Sequence, residues 1–194
     1  MNSDAFSGII GAINNFCKPS GKEMEEIASY FKIIPLKKDG FFLKEGQVCK
    51  NIGFLNSGEI RHFYRAKEND VTRWISFEND FVTSLRSFIL QIPSIENLQV
   101  LTDCELVVID RKAFDILIEK NIGFKDFYIK ALEYNYITIE DRVFSLIEKS
   151  AEERFEWMAK NQLHFIQKVA VMYTASMLGI TPRHLSRLRR KFKV

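Results

Sequence analysis

The chain has 194 residues and a formal net charge of +3, and 46% of its residues are hydrophobic, including 17 Phe. This length suits one or two domains with substantial cores. We expect no membrane span, because no apolar run is long enough, and no secretory signal, because the first residues lack its features. Cys17, Cys49 and Cys104 are odd in number and widely spaced, which argues against a disulfide framework or a zinc site and favours a reducing cytoplasm.

Residues 4–34 carry apolar side chains at helical spacing, which predicts two helices in this segment. Ser20 followed by Glu23 is a capping-box pattern, so we expect the second helix to begin there. Pro35 is predicted to end the helical region, because the residue before a proline avoids the helical conformation.

From about Ile33 to Ile109 the pattern changes to short β-rich runs separated by turn signals. These runs are 41–43, 52–55, 60–64, 74–77, 98–101 and 106–109. Short strands at this spacing predict an antiparallel sandwich or barrel. Between Phe81 and Leu90 the pattern is less strand-like and allows a short helix.

Residues 112–148 return to a helical pattern, and one stripe repeats with alternating spacings of three and four residues. This stripe, called the seam below, consists of Ile129, Leu132, Tyr136, Ile139, Val143 and Leu146. It either packs on the core of its own domain or pairs with a second copy in a parallel homodimer. The sustained 3.5-residue period favours the dimer, since a helix packed on a globule usually follows 3.6. Ile137 and Phe144 lie off the seam and are expected to pack on the β domain.

The C-terminal segment has the layout of a helix-turn-helix. An amphipathic segment at 150–168 precedes an apolar-rich helix at 170–178, and Gly179 permits a sharp turn into a last helix. Thr181 is a good N-cap for that helix, and Pro182 suits its first position.

The last helix has an apolar face and a basic face. Leu185, Leu188 and Phe192 are spaced to pack inward. The other face carries side chains that can contact phosphates or base edges, namely Arg183, Ser186, Arg187 and Arg190.

Charge is unevenly distributed along the chain. Residues 160–194 hold eight Lys and Arg and no Asp or Glu, which leaves 20 basic and 25 acidic residues, a net of −5, in the first 159. A localised basic segment on an acidic body is typical of nucleic-acid binding. The alternative is a basic tail that is simply solvated. The Leu and Phe residues interleaved with the basic ones argue against it, because they are spaced to be buried.

Nearly the whole chain resembles the Crp/Fnr superfamily of bacterial transcription regulators. The closest match is the helix-turn-helix segment 175–190, and with 151–154 before it the chain resembles the short members of Bacteroidetes-type bacteria. Segments 44–46, 52–60 and 101–109 resemble elements of the family's β-roll.

The resemblance implies an α+β fold. It consists of an N-terminal antiparallel β-roll of the double-stranded β-helix or jelly-roll type with flanking helices, a long dimerisation helix and a C-terminal winged helix-turn-helix. We expect a cyclic-nucleotide-binding-like sensor domain at 1–118, the dimerisation helix at 119–148 and the DNA-binding domain at 149–194.

The resemblance also implies which residues contact DNA. The base-reading positions map to Pro182, Arg183 and Arg187, and Pro182 removes one familiar contact because it has no donor in its side chain. Arg190 and Lys191 are expected on phosphates. The expected contacts are Thr181, Arg183, His184, Ser186, Arg187, Arg190 and Lys191, with Lys168, Tyr173 and Thr174 before them.

The effector pocket departs from the family pattern. Cyclic-nucleotide binders use Gly-Glu and a later Arg, and these positions fall here on Thr83, Ser84 and Ser94, so the ribose carboxylate and the phosphate guanidinium are both missing. Burying an anion without its cation is costly, and the nearby Arg86 is out of register. We expect a degenerate pocket of Thr83, Ser84, Leu85, Arg86 and Ser94, without cyclic nucleotide, other cofactor or metal.

These features predict a cytoplasmic, non-enzymatic regulator that binds double-stranded DNA as a homodimer on a pseudo-palindromic site. If it is an activator, it also contacts RNA polymerase. One alternative is a regulator whose β-roll binds an unidentified small-molecule effector that gates DNA binding. Another is a protein-interaction scaffold with a basic tail. His62, His164 and His184 are not spaced as metal ligands, and no nucleophile–base pair or carboxylate pair indicates an enzyme.

Overall fold

The structure is a computed structural model and describes residues 5–66 and 70–193. Its helices are α1 (Ser7–Phe16), α2 (Gly21–Ser29), α3 (Leu85–Leu90), α4 (Arg111–Lys120), α5 (Ile122–Glu148), α6 (Ala151–Asn161), α7 (Leu163–Gln167), α8 (Val171–Leu178) and α9 (Pro182–Phe192). Its strands are β1 (Lys32–Leu36), β2 (Phe41–Leu43), β3 (Asn51–Ser57), β4 (Ile60–Tyr64), β5 (Val71–Ser76), β6 (Phe81–Val82), β7 (Asn97–Val100) and β8 (Cys104–Asp110).

The strands form two four-stranded sheets, with the orders β1-β8-β3-β6 and β2-β7-β4-β5. In the first sheet β8 pairs antiparallel with both β1 and β3. In the second, β7 pairs antiparallel with β2 and β4. Apart from β4 and β5, neighbouring strands are not consecutive in the sequence, so the chain crosses repeatedly between the sheets. This arrangement confirms the predicted antiparallel β-roll.

The N-terminal segment is partly as predicted. The capping box is confirmed, since the backbone N–H of Ser20 donates to Glu23 Oε2 at 2.8 Å and the N–H of Glu23 donates to Ser20 Oγ at 3.4 Å. The expected extent of the helical region is wrong, because α2 ends at Ser29 and Pro35 lies inside β1, opposite Glu105. An edge strand tolerates proline because one side of its backbone has no neighbouring strand.

The chain divides into two compact units, one of residues up to 63 and 75–133, the other of 64–74 and 134–193. The first unit contains most of the β-roll, and its apolar core is rich in phenylalanine. The Phe114 ring packs edge-on against Phe88 at 5.2 Å and against Phe124 at 5.8 Å between centroids. Such pairs account for much of the large aromatic content of the sequence.

The second unit contains α6 to α9 and buries Phe155, Phe165, Leu185 and Leu188. The helix-turn-helix is confirmed in α8 and α9, but the expected wing is not there. Residues 111–193 contain no strand. The amphipathic segment before the helix-turn-helix forms α6 and α7, and short turns join the remaining helices.

The predicted helical segment at 112–148 is two helices, which meet at the buried Asn121. The Asn121 Oδ1 accepts the backbone N–H of Phe124 at 2.9 Å, and its Nδ2 donates to Glu26 at 2.9 Å, so one side chain begins α5 and ties it to α2. At about 1.5 Å per residue, the 27 residues of α5 extend for about 40 Å. Among the described residues, no helix is both long and apolar enough to span a membrane.

Candidate nucleic-acid interface

The start of α9 has the predicted cap. The backbone N–H of His184 donates to Thr181 Oγ1 at 3.2 Å, and Pro182 occupies the first helical position. Gly179 adopts the left-handed conformation with φ +69°, which glycine accepts without strain. This turn fixes the angle at which α9 leaves α8.

The inward face of α9 anchors the helix. Leu185 and Leu188 are buried, and the Phe192 ring lies 5.5 Å from the ring of Phe155 in α6. Full burial of one side chain of this size stabilises the fold by about 1.5–3 kcal/mol. The opposite face is therefore held outward by packing.

The outward face of α9 presents the predicted polar residues to solvent. They are Thr181, Arg183, His184, Ser186, Arg187, Arg190 and Lys191, all exposed. The Ser186 hydroxyl donates to the Pro182 carbonyl at 2.9 Å. Within residues 5–66 and 70–193, the guanidinium groups of Arg183, Arg187 and Arg190 make no hydrogen bond or ion pair.

Two basic side chains of α9 have partners within the unit. The Arg189 guanidinium turns inward and donates to the Ile166 carbonyl, so this arginine is structural. The Lys191 ammonium forms an ion pair with Glu152 at the start of α6. A phosphate at Lys191 must therefore compete with a carboxylate that the sequence analysis did not place there.

The structure corrects one of the three contacts expected before α9. Thr174 is fully buried, and its hydroxyl donates to the Phe165 carbonyl at 3.0 Å, so it holds α8 on α7 and is not available to DNA. Lys168 is exposed and Tyr173 is partly exposed, which leaves both accessible.

The helix-turn-helix is braced by residues that the sequence analysis missed. Arg142 on α5 donates to the Met177 carbonyl at 2.9 Å, and Arg154 on α6 donates to the Leu178 carbonyl from Nε and Nη2. Burial, with a smaller contribution from Arg73, lowers the pKa of Arg142. In sequence these arginines are indistinguishable from solvent-exposed charges.

The seam on α5 is largely solvent-exposed. Leu132 is half-buried, and the other five members are 43% exposed at Leu146 to 68% exposed at Tyr136. Ile137 and Phe144, which were expected to pack on the β domain, are 55% and 57% exposed. A helix turns about 100° per residue, so these two residues widen the exposed apolar face beyond the seam.

The predicted effector pocket is a compact polar cluster. Ser84 and Ser94 are buried, with their hydroxyl oxygens 3.2 Å apart, and Ser84 donates to the buried carboxylate of Glu96 at 2.8 Å. Ser94 also donates to the Glu96 carbonyl at 2.9 Å. The resemblance to cyclic-nucleotide binders predicted that this pocket holds no carboxylate. That prediction is wrong, because the carboxylate of Glu96, two residues after Ser94, lies in the cluster.

The other pocket residues lie around the cluster. The Thr83 hydroxyl donates to the Asn51 carbonyl at 3.2 Å, and Leu85 is half-buried at the start of α3. Arg86 is exposed to solvent. The buried serines and the exposed Arg86 therefore do not share one environment, and Arg86 does not take the place of the missing guanidinium.

Comparisons with known proteins agree with this architecture. Residues 33–121 match the family model described as the cyclic nucleotide-binding domain. A Crp/Fnr-family protein of Eubacterium rectale superposes with a TM-score of 0.68 at 15% identity, over 90% of this chain and 84% of that one. The chain has the fold of a Crp/Fnr superfamily regulator.

Other solved structures share the Crp/Fnr fold. A CooA variant of Carboxydothermus hydrogenoformans matches with a TM-score of 0.67 and 16% identity, over 87% of this chain and 78% of that one. FixK2 of Bradyrhizobium japonicum matches with a TM-score of 0.67 and 13% identity, over 84% of each chain. The sequence search of curated proteins finds no match.

The cysteine and histidine side chains described next lie within the fold. Cys17, Cys49 and Cys104 are free thiols, and burial raises the pKa of Cys17 and of Cys104. The imidazole of His62 is buried and lies 3.0 Å from the Ser76 hydroxyl. In the described parts of the chain, no three His, Cys, Asp or Glu side chains are grouped to hold a metal ion.

Proposed function

We propose that this chain is a sequence-specific DNA-binding transcription regulator that acts as a homodimer on a pseudo-palindromic site. The observation that carries the proposal is the division of α9 into two faces. Leu185 and Leu188 are buried, and Arg183, Arg187 and Arg190 are exposed without an internal partner among the described residues. The Crp/Fnr fold supports the proposal, because it is shared with solved structures of that family.

Arginine suits the proposed contacts. Its planar guanidinium can donate two parallel hydrogen bonds to O6 and N7 of guanine in the major groove. Arg183 and Arg187 lie near the start of α9, one turn apart, and are assigned to base reading. Arg190 and Lys191 are assigned to phosphates, with Lys191 first leaving Glu152. Lys168 and Tyr173 are assigned to the DNA backbone.

Dimerisation through the seam of α5 supplies the second half-site. An exposed apolar stripe with a 3.5-residue period is suited to pairing with the same stripe of a second copy. Two copies of α9 then enter successive major grooves, with half-site centres about 34 Å apart. The regulator is assigned to the cytoplasm and is not an enzyme, and an activator of this type also contacts RNA polymerase.

A second candidate function is supported by the cluster of Ser84, Ser94 and Glu96. A buried, hydrogen-bonded polar cluster inside a sensor-type domain suits a regulator that is gated by a small molecule. The Glu96 carboxylate opposes an anionic phosphate at this place, so the effector is expected not to be a cyclic nucleotide. A ligand at 100 times its Kd stabilises the protein by about 2.7 kcal/mol, which a thermal-shift panel of nucleotides and metabolites detects.

Selection from a random pool of duplex DNA tests the main proposal. The expected result is enrichment of an inverted repeat by the wild-type chain and loss of preference at one position of each half-site with R187A. A pool that stays random through the selection contradicts sequence-specific binding and favours a protein-interaction scaffold. A strong shift with one metabolite, combined with DNA binding only in its presence, establishes the gated regulator.

A further inference from the structure

Two arginines from different helices hold the C-terminal end of α8. Arg142 of α5 donates from Nη2 to the Met177 carbonyl at 2.9 Å. Arg154 of α6 donates to the next carbonyl, Leu178, at 3.2 and 3.1 Å. The last carbonyls of a helix lack partners within the helix and carry the negative end of its dipole, so both guanidinium groups are well placed.

Strand β5 contacts the same helices. The backbone N–H of Thr72 donates to Ser176 Oγ at 2.8 Å, and that hydroxyl donates back to the Thr72 carbonyl at 3.4 Å. The Trp74 ring lies edge-on to Phe165 of α7, with 5.3 Å between centroids. The Arg142 guanidinium is 5.8 Å from the Trp74 ring centroid. Arg142 therefore joins α5, β5 and α8 within one unit.

The place of Arg142 on α5 relates it to the seam. Arg142 directly precedes the seam residue Val143, and neighbouring residues of an α-helix point about 100° apart. The seam from Tyr136 to Leu146 thus occupies one side of α5, and the side chain that binds α8 leaves from an adjacent side. Because both belong to one helix, a guanidinium that holds α8 also fixes α8 with respect to that part of the seam.

We propose that Arg142 is a positioning residue that sets which half-site spacing the homodimer accepts. This inference rests on the proposed function, since it requires a dimer that reads two half-sites. One additional base pair moves a half-site by about 3.4 Å along the axis and by about 35° around it. A helix-turn-helix that is held on α5 fits one half-site spacing well. A helix-turn-helix that is released from α5 can reorient to reach its half-site, so the dimer binds several spacings similarly.

The experiment compares binding to duplexes that carry the selected half-sites with spacers from two base pairs shorter to two longer. R142M removes the donor and keeps the aliphatic stem, and R142K restores one donor. R154M is the matched control, because it removes the bond to the adjacent carbonyl of the same helix end and keeps the Arg142 contact. It also removes the bond from Arg154 to the Lys149 carbonyl just after α5. Binding to a single half-site and the thermal midpoint are measured for each protein.

The wild type is expected to prefer its best spacer by about tenfold over each neighbour, equivalent to about 1.4 kcal/mol. R142M is expected to lower this preference to less than about threefold, or about 0.7 kcal/mol, with single half-site binding unchanged, and R142K is expected to restore part of it. R154M is expected to lower the thermal midpoint and keep the spacer preference. If R142M does not fold, R142Q takes its place, since its side chain is too short to reach Met177.

An unchanged spacer preference in R142M overturns the positioning role, and so does an equal loss of preference in R154M. A wild type that binds neither single nor paired half-sites contradicts the proposed function itself. The single half-site probe thus separates failure of the positioning role from failure of DNA recognition.

Discussion

Arg187 and Arg189 of α9 allow the two faces of this helix to be tested with the same substitution. Both are arginines, two residues apart, and replacing either by alanine removes one positive charge. Arg187 is exposed, whereas the Arg189 guanidinium donates inward to the Ile166 carbonyl. We therefore expect R187A to change DNA recognition and R189A to change stability.

The structure sets the magnitudes. R187A removes no internal contact among the described residues, so we expect stability within about 0.5 kcal/mol of wild type. A lost bidentate base contact costs about 1–3 kcal/mol of binding, or about 5-fold to 150-fold in affinity. R189A removes a charge-assisted hydrogen bond and leaves the Ile166 carbonyl unpaired, at a cost of about 1–3 kcal/mol. For a chain of this length that lowers Tm by roughly 2–12 °C.

Fluorescence anisotropy with the selected duplex and with a scrambled duplex, together with thermal melts, measures both effects. R187A is expected to lose affinity for the selected duplex with little change for the scrambled one. R189A is expected to lower Tm and keep the ratio of the two affinities, measured well below its melting temperature. The assignment of faces is refuted if R189A abolishes the sequence preference at unchanged Tm, or if R187A leaves that preference intact.

Three further predictions concern salt, assembly and pH. R190A should weaken binding to all duplexes similarly and reduce the slope of log affinity against log salt by about 0.9, because it removes one phosphate contact; an unchanged slope excludes Arg190 from the phosphates. V143E places a charge on the seam and should convert the dimer to a monomer in light scattering, whereas I95E, at an exposed position outside the seam, should not. Hydrogen bonds from the Ser150 hydroxyl and N–H hold the pKa of Glu153 below its ordinary value of 4.5. This cap therefore stabilises the fold at pH values above 4.5, and the stabilisation is lost as the pH falls through the lower folded pKa of Glu153. The Tm of the wild type should consequently fall more steeply in acid than the Tm of E153Q. Parallel plots of Tm against pH for the two proteins contradict this cap.

The elements predicted well from sequence are those whose signals are local. The Thr181 cap, Pro182 at the first helical position and the Ser20–Glu23 capping box each involve residues close in the chain. Their geometry follows from the unpaired backbone N–H groups at a helix start, which side chains nearby in the sequence can satisfy. The expected end of the N-terminal helices was wrong because Pro35 was judged by its local effect, whereas pairing with β8 places it in a strand.

The site was predicted where side chains face solvent and missed where distant segments meet. Arg183 and Arg187 follow from helical spacing alone. No local pattern marks Arg142, Arg154 or Glu96, because each forms its hydrogen bond with a group that is distant in the sequence. The wing was expected from the family resemblance, which the helix-turn-helix carried. The described C-terminal segment consists of four helices without strands, so the resemblance of the helix-turn-helix did not predict the structure around it.

The mass of the protein–DNA complex on a selected duplex tests the central claim most directly. Size-exclusion chromatography with light scattering gives the number of chains bound, each of 22.7 kDa. We expect two chains on a duplex with both half-sites, with protection of two segments whose centres are about 34 Å apart. One chain per duplex, or equal binding to a scrambled duplex, contradicts recognition by a homodimer.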